Sequence, residues 1–352
     1  MALEDRVGEL AEEVRPLDEE AVTRARERHL TLTKPPGSLG RLEEIGARLA
    51  GMAGEVPPPV TESPAVVICA GDHGVLARGI SPWPQEVTAA MVKNFCAGGA
   101  AANTLARSVG ARVSVLDVGV VSELERHPLL RTAKKRAGTD DLSRGVAMSR
   151  EDAARALMSG AGIAGELIES GVDLLVPGDM GIANTTPAAA LISAFTGRSP
   201  EETTGRGTGI DDETLELKVR VVEEALELHE PDPTDPLGVL AALGGFEHAA
   251  IAGLILTSAV YGVPIILDGV VSNSAALAAR ALAPDCVGYA FAGHLSVESG
   301  AAVALEHLGL EPILDLHMRL GEGTGGLLAA PVVQAAARVL GEMATMEELG
   351  IS

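Results

Sequence analysis

The sequence predicts an α/β protein with a Rossmann-like, mostly parallel six-stranded sheet covered by helices, and a small helical domain built from the N- and C-terminal segments. Three observations lead there. Short apolar runs rich in β-branched residues alternate with helical segments of ten or more residues. The runs are continuously apolar, as strands covered on both faces require, and alternation of such strands with helices gives parallel pairing through right-handed crossovers. Finally, hydrophobic residues make up 47% of the 352-residue chain but aromatics only 2%. The core is therefore built from Ala, Val, Leu and Ile.

Taken in chain order, the first sixty residues read as charged helix, the segment Lys34-Pro35-Pro36-Gly37-Ser38-Leu39-Gly40, and a second helix ending near Pro57-Pro58-Pro59. The segment Ala329 to Leu349 is also helical and is expected to pair with them. This gives a small helical domain of residues 1–60 and 329–352 and a large α/β domain of residues 61–328. Six strands are expected at Ala65 to Ala70, Val113 to Val118, Leu174 to Val176, Pro264 to Leu267, Tyr289 to Ala292 and Ile313 to Leu316. The apolar stretch Ala249 to Leu267 approaches the ~20 residues that span a bilayer. Gly262-Val263-Pro264 divides it into a small-residue helix and a short strand, the pattern of a buried αβ unit.

Composition excludes several classes of function. Lys and Arg number 27 against 49 Asp and Glu, a net charge of −22, and the longest basic tract is Lys134-Lys135-Arg136. Nucleic acids and anionic membranes are repelled by such a surface, and an anionic substrate has to be held by local amides and a few basic side chains. Cys69, Cys96 and Cys286 lack CxxC spacing and read as reduced thiols packed like small hydrophobes. The N-terminal MALEDRVGELAEEV has no apolar signal core, so a cytoplasmic location is expected.

Most strands run straight into Gly, Asp or His, as in Gly71-Asp72-His73-Gly74, Asp117-Val118-Gly119, Gly178-Asp179-Met180-Gly181, Asp268-Gly269 and Ala292-Gly293-His294. In a parallel sheet these ends share one edge, and open α/β sheets bind ligands in the crevice outside the carboxyl ends of their strands. The loop Gly178 to Pro187 opens a small-residue helix and reads either as a phosphate cradle of backbone amides or as a turn in which Asn or Thr caps the helix. Gly205-Arg206-Gly207-Thr208-Gly209 precedes Asp211-Asp212 and a helix bearing Lys218, which either brings positive charge to a phosphate or is a solvated surface lysine. Leu320-Gly321-Glu322-Gly323-Thr324-Gly325-Gly326 sets one carboxylate among four glycines after a strand. Glycines allow close approach of a ligand, and a carboxylate in a dry crevice gains proton affinity suited to a general base. The alternative is a glutamate that merely starts a helix. His73, His294 and His317 form no HxH or HxxxH pair, so no metal site is expected, and neither Ser38 nor Ser81 has a nucleophile-elbow context.

Together these segments resemble the nicotinate-nucleotide:dimethylbenzimidazole phosphoribosyltransferase family, nearly end to end. The resemblance lies in Lys34 to Gly40, Gly71 to Gly74, Ser81-Pro82-Trp83-Pro84-Gln85-Glu86-Val87-Thr88, Gly178 to Pro187, Gly205 to Gly209 and Leu320 to Gly325. It implies transfer of phosphoribose from nicotinate mononucleotide to a benzimidazole-type base, giving alpha-ribazole phosphate for cobalamin, with no cofactor and in a homodimer. It also implies that Glu322 is the general base, that Ser81, Met180 and Leu320 line the base pocket, and that Asp179, Gly181, Asn184, Thr185, Gly207, Lys218 and Ser296 surround the nucleotide. Two positions depart from the family loop: Asp179 stands for a Glu, and Ala183 for a Gly. A transferase using phosphoribosyl pyrophosphate would need an acidic pair directly after a strand, whereas Asp211-Asp212 sits at a helix start. A catalytically silent nucleotide-binding protein on the same fold is the remaining alternative, and an intact Glu322 speaks against it.

Overall fold

The computed structural model describes residues 2–350. The outermost positions of the expected small domain, 1, 351 and 352, lie outside the described residues. The sheet contains seven strands: β1 (Pro64–Gly71), β2 (Arg112–Gly119), β3 (Leu130–Thr132), β4 (Leu174–Met180), β5 (Ile265–Leu267), β6 (Ala290–His294) and β7 (Pro312–Leu314). The α/β class holds, but the count corrects the expected six. The added strand, β3, is a three-residue edge strand with both Arg131 and Thr132 exposed, so it carries none of the apolar continuity by which buried strands are recognised.

All neighbouring strands pair parallel, in the order β3-β2-β1-β4-β5-β6-β7. The chain winds outward from β1 to β3, returns to the centre at β4, and winds outward again to β7. The winding therefore reverses between β1 and β4, where a crevice opens at the carboxyl ends of the strands. Every residue of β1 is buried, as a central strand covered on both faces demands.

Small residues set the spacing of the layers. A side chain added at Gly160 would collide with the carbonyl of Ala250, and one added at Gly253 with that of Leu157. The helices Arg150–Glu169 and Phe246–Val260 thus pack backbone to backbone, and the second is buried along nearly its whole length. The apolar stretch is a core helix followed by β5, and no helix among the described residues is long and apolar enough to cross a membrane. At the chain ends, the helices Glu19–Thr31, Arg41–Ala53 and Thr324–Glu342 share a second apolar cluster of Val22, Ala25, Ala47, Ala50 and Leu340. The helix Thr324–Glu342 starts under the sheet edge, beside β5 and β6, and ends in that cluster.

Candidate active site

The crevice at the switch point is a cleft open to solvent, with about 700 Å³ of space between its walls and across its mouth. β4 delivers Asp179 to its wall, and the ends of β1 and β4 close on each other so tightly that a Cβ on Gly181 would lie 3.0 Å from His73 Nε2. Past Gly181 the loop bends through Ala183, whose φ of +75° is the left-handed region that an L side chain occupies at a cost of ~1–2 kcal/mol. Asn184 precedes the helix Thr185–Thr196 but does not cap it: its Nδ2 instead donates to Asp179 Oδ2 at 2.8 Å. The turn-and-cap reading of this loop therefore fails for Asn184, whose side chain is turned to the cleft-lining Asp179.

One end of the cleft is basic. Lys218 is only 2% exposed and donates from Nζ to Thr185 Oγ1 at 2.7 Å and to the Gly205 carbonyl at 2.9 Å. Burial lowers its pKa to about 8, against the pull of the nearby Glu298 carboxylate. The alternative of a solvated surface lysine is removed by that burial. Gly207, with φ +55°, leaves room for this pair, since a Cβ there would lie 3.0 Å from Thr185 Oγ1, and its carbonyl accepts from Arg319 Nη1 at 2.6 Å. Asp211, by contrast, caps the helix Asp212–His229 by accepting from Thr214 N at 2.9 Å, so this acidic pair has an ordinary structural use.

A group of carboxylates, Asp179, Asp268 and Glu322, gathers where β4 and β5 end. Glu322 is 5% exposed, and its Oε2 accepts from the Ala102 amide at 3.4 Å, at the start of the helix Ala101–Val109. Gly321, Glu322 and Gly323 have φ values of +81°, +63° and +82°, so the glutamate sits in a run of three left-handed residues. Such strain persists in a non-glycine residue only where the surroundings enforce it, and it gathers at functional sites. A Cβ on Gly178 would come within 2.7 Å of the Glu322 backbone, so that strand glycine admits the turn. Asp268 follows β5 and accepts from Gly323 N at 2.9 Å and Gly325 N at 2.6 Å. Burial raises the pKa of Glu322, the Ala102 amide offsets part of this, and Asp268 adds to the rise. Burial, with Asp268 as the next contributor, pushes Asp179 up to about 8, which keeps it protonated at neutral pH.

Of the residues singled out by sequence, Ser81, Asp179, Gly181, Asn184 and Thr185 line the cleft, as do Gly207, Lys218, Ser296 and Leu320. Met180 and Glu322 are not on its wall: Met180 packs against the core, and Glu322 lies behind Gly321. Sequence reasoning gave no role to Asp268, Glu298 or Arg319. Asp268 ends a strand, Glu298 stands two positions after Ser296 and Arg319 directly before Leu320, so adjacency to these positions is the signal the sequence offers. Of the histidines, His73 lies 2.9 Å from Glu247 Oε1, whereas His317 is exposed beside Asp315. Among the described residues, no cluster of His, Cys, Asp and Glu is arranged to hold a metal ion.

Comparison with known proteins places this geometry in context. A family model described as phosphoribosyltransferase matches residues 14–351. A protein of Salinispora tropica named nicotinate-nucleotide–dimethylbenzimidazole phosphoribosyltransferase is 54% identical over 351 residues, covering 96% of each chain. One of the same name from Chloroflexus aggregans is 54% identical over 337 residues, covering 96% of this chain and 95% of the relative. The crystal structure of the enzyme so named from Thermus thermophilus superposes with a TM-score of 0.91 at 48% identity, over 96% of this chain and 99% of that one.

Proposed function

We propose for this chain, which belongs to the nicotinate-nucleotide–dimethylbenzimidazole phosphoribosyltransferase family, the reaction that name describes, with Glu322 as its base. The protein is a transferase that moves phosphoribose from nicotinate mononucleotide to dimethylbenzimidazole, releasing nicotinate and forming alpha-ribazole phosphate for cobalamin. The observation that carries the site assignment is a buried, strained Glu322 adjoining Gly321 of a cleft whose lining includes the buried Lys218.

In this reading the nucleotide phosphate takes its place by Lys218, Thr185, Gly207 and Ser296, and its ribose lies along Asp179, Gly181 and Asn184. The acceptor base enters between Ser81 and Leu320, the two base-pocket residues that line the cleft. Glu322 removes the proton from one ring nitrogen while the other attacks C1′ of the ribose, and the bond from C1′ to the pyridinium nitrogen breaks. The electron pair of that bond neutralises the pyridinium, so nicotinate leaves without needing a proton. General-base assistance is worth about a hundred- to ten-thousand-fold. Holding two reactants in contact contributes on the order of 7 kcal/mol or more.

The same proposal includes a cytoplasmic homodimer, and a small domain of residues 1–60 and 329–352 upon a large domain of 61–328. The apolar cluster shared by both chain ends supports the division. Trp83 and Leu316, 51% and 56% exposed, supply apolar surface for a second copy. The reaction is tested by incubating the protein with nicotinate mononucleotide and dimethylbenzimidazole and following nicotinate alongside the new nucleotide. Equal appearance of both is the expected result, and neither product despite nucleotide binding would favour a silent binding protein.

A further inference from the structure

The turn that carries Glu322 is closed locally by Thr324, whose amide and Oγ1 donate to the Gly321 carbonyl at 3.1 and 2.8 Å, while Gly321, Glu322 and Gly323 are all left-handed. A second hold reaches it from beyond the turn. The carboxylate of Asp268, 1% exposed, accepts from Gly323 N through Oδ2 at 2.9 Å and from Gly325 N through Oδ1 at 2.6 Å. These amides lie at the N-terminal end of the helix Thr324–Glu342, where unpaired N–H groups and the helix dipole favour a negative charge. His294, at the end of β6, stands 3.5 Å from Asp268 Oδ1 and abuts Gly325, where a side chain would run into its ring. The clamp is thus buried between β5, β6 and the helix start.

We propose that Asp268 is a positioning residue for the transferase reaction: by bridging two amides just beyond Glu322, it adds to the Thr324 bonds and fixes the direction in which the left-handed turn presents the base. The inference rests on the transferase reading above. Asp268 acts through Glu322 and does not itself line the cleft. Its charge has a second effect on the base. The groups facing Glu322 are the Ala102 amide, Asp268 from β5 and Asp179 from β4, with His294 behind Asp268. Removing the Asp268 charge therefore eases the ionisation of Glu322.

The test is the variant Asp268→Asn, alone and combined with Glu322→Gln, assayed with nicotinate mononucleotide and dimethylbenzimidazole across pH. Asparagine keeps one acceptor but presents N–H to the second amide, so one of the two bonds is lost. The expected result is a fall in kcat on the order of a hundred-fold with KM for the nucleotide little changed. The acid limb of the kcat profile should move to lower pH, and the Asn substitution should have little further effect once Glu322 is Gln. A full effect retained in the Glu322→Gln background, a loss confined to KM, or an unmoved acid limb would each overturn the inference. Hydrogen exchange of the Gly323 and Gly325 amides in the unaltered protein provides a check that needs no variant. Strong protection is expected, and exchange as fast as in an exposed loop overturns the clamp. Absence of nicotinate release by the unaltered protein would instead overturn the transferase reading itself.

Discussion

Ala183 occupies a backbone conformation that glycine adopts freely, with φ +75°, in the loop that forms one wall of the cleft. Ala183→Gly should therefore stabilise the fold by about 1 kcal/mol, read as a higher urea midpoint at unchanged slope. Asp179 gives a pH dependence. In the unfolded chain its carboxyl ionises near 3.8, but in the folded protein at about 8. Between these values the folded state holds a proton that the unfolded state has released, so stability falls as pH rises through that window. Asp179→Asn keeps an acceptor for Asn184 and removes the titration, so its melting temperature should drop less than that of the unaltered protein between pH 5 and 8. A parallel decline in both would contradict the assignment. At this scale the sequence pointed to the 320–326 turn because a lone Glu322 among glycines is a poor fold element, with a helix start as its alternative. The left-handed turn itself, and Asp268 beneath it, were not legible, because they depend on β5 and the 320–326 loop meeting across the sheet edge.

Among the elements, β1 and the helix Phe246–Val260 are joined beneath the cleft by charge. Glu247 Oε1 lies 2.9 Å from His73 Nε2 and 2.8 Å from His248 Nδ1, all fully buried side chains. Burial opposes the charged form of His73, but the Glu247 carboxylate outweighs it and raises the pKa. Glu247, although burial opposes its ionisation too, is held well below the usual carboxylate range by His73 and His248. Removing one member leaves an uncompensated buried charge, so Glu247→Ala should cost about 3–5 kcal/mol, measured by chemical denaturation. A loss below about 1 kcal/mol would mean that the cluster is neutral in the folded state. Sequence periodicity could not reveal this cluster, since Glu247 and His248 look like the ordinary polar start of an apolar helix. The long buried strands were legible from their β-branched runs, whereas β3 was not, because an exposed three-residue edge has no pattern to read.

For the whole molecule, a parallel sheet wound outward from β1 and β4 brings loops from distant parts of the sequence to a single edge, so that Asp179, Ser296 and Gly321 line one cleft with Lys218. With a net charge of −22, the phosphate of a nucleotide approaches an acidic protein, so in the proposed site it depends on local groups such as Lys218. The proposed homodimer predicts a light-scattering mass of twice the 36.0 kDa chain, and a mass equal to one chain would remove it. The central claim, that Glu322 is the base of a phosphoribosyl transfer, is tested most directly by comparing single-turnover rates of the unaltered protein and Glu322→Gln, with both substrates bound to saturation. The account predicts a rate lowered about a hundred- to ten-thousand-fold with the affinity for nicotinate mononucleotide retained. An unchanged rate in the variant would contradict it.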